Sequence, residues 1–94
     1  MGWMTTEQAP PTEIASSRLG RLELDQLSVP YVNLEDEPFL GSRIRVDGTE
    51  YTYSQSFPIT GHSAVMPGAV DQVQSEGKQV LVAERGKRYY LYLS

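Results

Sequence analysis

The residues best suited to chemistry stand near the C-terminus, where Arg85, Lys87 and Arg88 precede or interleave with Tyr89, Tyr90 and Tyr92. Cations at a hairpin tip, followed by aromatics along its strand, can hold phosphate while the rings stack on unpaired bases. Tyrosine among arginines is equally the composition enriched at protein interfaces. Arg43 and Arg45, on an earlier hairpin, are expected to rim the same surface. The candidate binding set is therefore Tyr90, Tyr92, Arg43, Arg45, Arg85, Lys87 and Arg88. A structural reading competes with it, because tyrosine suits half-buried strands and charged side chains guard strand edges against pairing.

Other motifs carry less. Gly61-His62-Ser63-Ala64-Val65 approaches the G-x-S-x-G elbow, whose glycines permit a strained turn that exposes a serine nucleophile. Its last position is Val65, the chain's one histidine is adjacent to Ser63, and 94 residues are too few for a doubly wound hydrolase sheet. Ser63 reads better as a helix cap, and the protein is expected not to be an enzyme. Thr60, His62 and Ser63 at a helix start offer an anion only what every helix start offers. Glu35, Asp36 and Glu37 lack the alternating acids and glycine of a calcium loop, and they read as a solvated loop before Pro38. With one histidine and no cysteine, neither a transition-metal site nor any cofactor is expected.

Composition narrows the partners. A net charge of −4 opposes general attraction to nucleic acid or anionic lipid, both of which bind through Lys and Arg. No apolar run approaches the roughly 18 residues of a membrane span, and the N-terminus lacks a signal-peptide plan. Without cysteine, stability must come from packing, and a cytoplasmic location is expected. Met1-Gly2-Trp3-Met4-Thr5-Thr6 satisfies the bare N-myristoylation pattern, but three of its six positions are unconstrained and Met4 is an equally good start.

The elements that must position these residues follow from periodicity. Residues 1–17 are polar, include Pro10 and Pro11, and read as a flexible tail preceding a single domain over 18–94. Leu22 and Leu24 alternate with Arg21, Glu23 and Asp25 as in a half-buried strand. Leu27, Val29, Tyr31 and Val32 surround Pro30, which points to an edge strand or an irregular segment. Asp47-Gly48 predicts a type I′ hairpin between 42–46 and 49–55, with Val46 opposite Thr49, Arg45 opposite Glu50 and Ile44 opposite Tyr51. That register turns Ile44, Val46, Tyr51 and Tyr53 inward, and Arg43, Arg45, Glu50 and Thr52 outward.

A helix is predicted to end at Gly77. It starts either at Pro67 or at a Ser63 cap with Pro67 in its first turn, Pro67 being the sterically cleaner start. Residues 78–83 and 88–93 form the last hairpin. Its turn is either a two-residue Arg85-Gly86 loop or a three-residue loop with Gly86 in a bulge. Val80 to Ala83 are continuously apolar, as in a central strand covered on both faces. Along 88–93 the leucines are expected to face the core, leaving Tyr90 and Tyr92 partly exposed.

The expected fold is α+β, an antiparallel sheet of about five strands with one short helix. In element order it resembles a β-grasp arrangement, and an SH3-like small barrel is the alternative. The expected function is a small protein-interaction or regulatory module with an unknown protein partner. Single-stranded nucleic-acid binding through the Arg/Tyr hairpin is the alternative, which the acidic net charge disfavours.

Overall fold

The computed structural model describes residues 10–24, 27–37, 41–59 and 65–94. These residues form seven strands and one helix: β1 (Thr12–Ile14), β2 (Gly20–Leu24), β3 (Leu27–Asn33), β4 (Arg43–Val46), β5 (Thr49–Pro58), α1 (Val65–Ser75), β6 (Val80–Arg85) and β7 (Arg88–Leu93). One sheet contains all seven strands in the order β1-β4-β5-β7-β6-β3-β2, and it curls into a half-barrel. The broad α+β class stands. The five-strand antiparallel expectation does not: β1 lies parallel to β4, and β3 lies parallel to β6.

The β4–β5 hairpin has the predicted register, with Val46 opposite Thr49, Arg45 opposite Glu50, Ile44 opposite Tyr51 and Arg43 opposite Thr52. Asp47 (φ 51°) and Gly48 (φ 81°) take the two left-handed positions that a type I′ turn requires. β5 then continues to Pro58, with a bulge between Tyr53 and Gln55, so that its second half pairs with β7.

The last hairpin corrects both readings of its turn. The two-residue loop is Gly86-Lys87 (φ 62° and 63°), with Arg85 opposite Arg88. Lys87 accepts a left-handed backbone, and in return Leu91 lies opposite Val82 and Tyr92 opposite Leu81.

Cover on two faces explains the apolar run of β6. Val80 and Val82 join Val29, Leu91 and the α1 residues Met66 and Val70 on one side. Leu81 and Ala83 join Ile14, Val32, Leu34, Ile44, Val46 and Tyr92 on the other. α1 carries Pro67 in its first turn, where a proline leaves no intrahelical donor unused. It therefore begins two residues before the preferred Pro67 start, and Ser63 lies outside the described residues. At its C-terminal end Gly77 (φ 85°) donates to the Gln74 carbonyl and Lys78 to the Val73 carbonyl, closing a Schellman cap.

Two N-terminal expectations change. Thr12–Ile14, assigned to the flexible tail, form an edge strand paired with Ile44, Arg45 and Val46, and Ile14 is 3% exposed. A three-residue strand gains its stability from the neighbour it pairs with, which local polarity does not reveal. Residues 1–9 lie outside the described residues. Pro30 sits within an interior strand, with its missing donor accommodated where the β6 ladder begins one residue later, at Tyr31.

Ile14→Ala should therefore destabilise the protein by about 2–5 kcal/mol in urea unfolding, as a core truncation does. A change under about 0.5 kcal/mol, normal for a surface site, would place Ile14 outside the core.

Candidate interaction surface

The fold separates the candidate residues. Tyr90 and Tyr92 lie on the concave face of the half-barrel with Tyr53, whereas Arg43 and Arg45 alternate with the inward Ile44 and Val46 and so project from the opposite face. The arginines of β4 therefore do not rim the tyrosines. Their charges meet acids instead, Arg43 with Glu50 at 3.1 Å and Arg45 with Glu13 at 3.3 Å. The expected Arg45–Glu50 cross-strand pair is replaced by a diagonal one, because β1 brings Glu13 beside Arg45.

The two arginines at the hairpin tip are engaged as well. Arg85 donates from Nε and Nη2 to the Glu37 carbonyl at 3.1 and 3.0 Å, and Arg88 donates from the same two nitrogens to Ser56 Oγ at 3.2 and 2.9 Å. Lys87 is exposed in the turn.

The acidic loop is part of this arrangement rather than merely solvated. Arg18, on a single 3₁₀ turn (Ser16–Arg18), donates to Asp36 at 3.0 Å, to Glu37 at 3.2 Å and to the Asn33 carbonyl at 2.9 Å. These carboxylates raise the Arg18 pKa further, Glu37 more than Asp36. Glu35 accepts from the Gly86 N–H at 3.0 Å, so the loop also braces the β6–β7 turn. Composition marks these acids as polar, but their partners are far along the chain.

Tyr90 is half-buried, as expected, but Tyr92 and Tyr53 differ from expectation. Tyr92 is 1% exposed, and its hydroxyl donates to the Gly41 carbonyl at 2.6 Å. Leu91 is buried too, on the helix side, because both faces of β7 are covered. Tyr53, expected inward, is 42% exposed. β4 itself begins only at Arg43, and the Tyr53 N–H reaches back to the Ser42 carbonyl at 2.7 Å. The Tyr53 ring lies 6.1 Å from that of the half-buried Tyr90 and 6.0 Å from Tyr92, the latter edge-on. What remains accessible is a tyrosine surface of Tyr53 and Tyr90, with Arg88 and Ser56 further along the same two strands. Sequence reasoning missed Tyr53, and its signal, a bulge past the end of β4, is tertiary.

On the helix side, Tyr31 donates a very short hydrogen bond to Glu84 Oε1. Burial, then that hydrogen bond, pushes the Tyr31 phenol up to about 12. Burial, then the charge of Glu84, raises Tyr89. Burial is also the main cause at Tyr92, followed by Tyr90 and Tyr53, and brings it to about 12. An open groove of about 450 Å³ lies between Pro30, Tyr51, Gln74, Lys78, Gln79 and Val80.

Among the described residues no group of acids or histidines is placed to hold a metal, and no helix is long and apolar enough to cross a membrane. The serine motif at 61–64, with His62, lies outside the described residues. The chain matches no protein-family model, no curated protein and no solved structure.

The phenols give a pH prediction. Tyr31 and Tyr92 ionise near 10.0 when unperturbed and at about 12 in the fold, so the unfolded chain releases these protons first. Their contribution to stability is complete below pH 10 and is lost as pH rises from there through about 12. A tyrosinate absorbance titration should show the Tyr31 and Tyr92 phenols ionising late, together with unfolding. Tyr31 and Tyr92 titrating near 10.0 in a chain that stays folded would refute the assignment.

Proposed function

We propose that the chain is a small non-enzymatic interaction module that docks a protein partner on the Tyr53–Tyr90 surface. One observation carries this reading: a 42% exposed tyrosine stands beside a half-buried one on the sheet, with an arginine nearby. Tyrosine presents a large amphipathic area at low entropic cost, and a partially buried ring held by its neighbours is preorganised for contact. Arg88 is anchored on Ser56 and retains donors for a partner. This revises the candidate set, with Tyr53 taking the place of the buried Tyr92, and with Arg43 and Arg45 outside the surface.

Nucleic-acid binding has less support. Phosphate neutralisation needs available cations, yet Arg43 and Arg45 face carboxylates, Arg85 serves the Glu37 carbonyl, and the net charge is −4. A cytoplasmic location belongs to the same proposal, supported by the absence of cysteine.

Affinity capture with quantitative mass spectrometry, using wild-type and Tyr53→Ala/Tyr90→Ala baits, tests the surface. A partner retained by the wild type should weaken by about 30-fold or more with the variant, as expected on losing an interface anchor worth about 2 kcal/mol. Circular dichroism should confirm that the variant is folded. Equal capture by both baits would sink the proposal. A low-salt titration with single-stranded oligonucleotides that shifts residues 85–92 and collapses as salt rises would replace it with the nucleic-acid reading.

A further inference from the structure

We infer that β2 is a self-association edge, through which two copies of this chain join their sheets antiparallel about Leu22. Among the described residues β2 is the outermost strand on its side and pairs with β3 alone, so half of its backbone donors and acceptors face away from the sheet. It runs Gly20-Arg21-Leu22-Glu23-Leu24, with no proline to interrupt a ladder. The opposite edge differs. β1 has only three residues, is entered through Pro10-Pro11, and has its acid, Glu13, engaged by Arg45.

The charge pattern of β2 selects a second copy as the occupant. Arg21 and Glu23 are exposed on one face of the strand, flanking Leu22. An antiparallel two-fold pairing centred on Leu22 sets Arg21 of each copy opposite Glu23 of the other, giving two complementary cross-strand pairs. In the single chain Arg21 reaches inward across β3, donating from Nε to Ser28 Oγ at 3.0 Å and from Nη2 to the Ser28 carbonyl at 2.7 Å, and it turns outward to meet Glu23 of the second copy. No ion pair occupies Glu23 among the described residues, so its carboxylate is open to an incoming cation. On the other face Leu22, half-buried against the helix-side core, meets its own counterpart and extends that core across the seam. A parallel arrangement in register would set Arg21 beside Arg21 and Glu23 beside Glu23, which like-charge repulsion opposes. The contact is short, so the association is concentration-dependent.

Sedimentation equilibrium from about 1 µM to about 1 mM tests this directly. The wild-type mass should rise from 10.5 kDa toward twice that value, and Arg21→Glu or Glu23→Arg alone should abolish the rise by placing like charges opposite each other. The double exchange, Arg21→Glu with Glu23→Arg, should restore it. A wild type that stays at 10.5 kDa throughout overturns the inference. So does self-association that either single exchange leaves intact, or that the double exchange fails to restore. The Tyr53 and Tyr90 surface is untouched in all three variants, so the outcome is independent of the docking proposal.

Discussion

Four consecutive residues of β6, Val80 to Ala83, are withdrawn from water, which forces the chain to supply apolar cover on both faces of one strand. Fully burying a side chain such as Val or Leu stabilises by roughly 1.5–3 kcal/mol, so neither face can be left open in a domain this small. α1 supplies one cover, through Met66 and Val70. The curl of the sheet supplies the other, bringing Ile44 and Val46 from β4 and Ile14 from β1 to the side of Leu81 and Ala83. The parallel pairing of β3 with β6 follows from the same demand. An interior strand needs two neighbours, and β7 provides only one.

The accessible tyrosine surface is a by-product of that architecture. β5 is long enough to pair with short β4 on one edge and β7 on the other, and the bulge after Tyr53 reconciles the two ladders. Among the described residues no strand covers Tyr53 past the end of β4, while Tyr92, directly opposite on β7, lies beneath it and is held by the Gly41 carbonyl. The acidic loop completes the picture. Arg18, Arg85 and the Gly86 N–H converge on residues 35–37 and hold the hairpin tip in place, which sets where Arg88 and Tyr90 can sit.

Local signals in the sequence carry local structure well. Asp47-Gly48 dictates its turn, and the turn dictates four cross-strand pairs. Gly77 likewise marks the helix end. Structure that depends on distant partners is not legible in the same way. Thr12–Ile14 become a strand only because β4 has a free edge, and the acids at 35–37 find cations that their own neighbourhood does not contain. Alternation along β7 cannot tell Leu91 from Tyr92 as the buried residue, since each is buried on its own face. For the proposed interaction surface, the sequence offers the chemistry, tyrosine with arginine, and Tyr90 with Arg88 as candidates. It misses Tyr53, because exposure there depends on where a neighbouring strand stops.

If doubly covered β6 is the keystone of the fold, native-state hydrogen exchange will show it. Backbone amides of Val80 to Ala83, with Leu91 and Tyr92, should exchange slowest and only through global unfolding, while those of the Arg43–Thr52 hairpin should exchange through local opening at lower free energy. Amides of β6 that open as readily as that hairpin would contradict it.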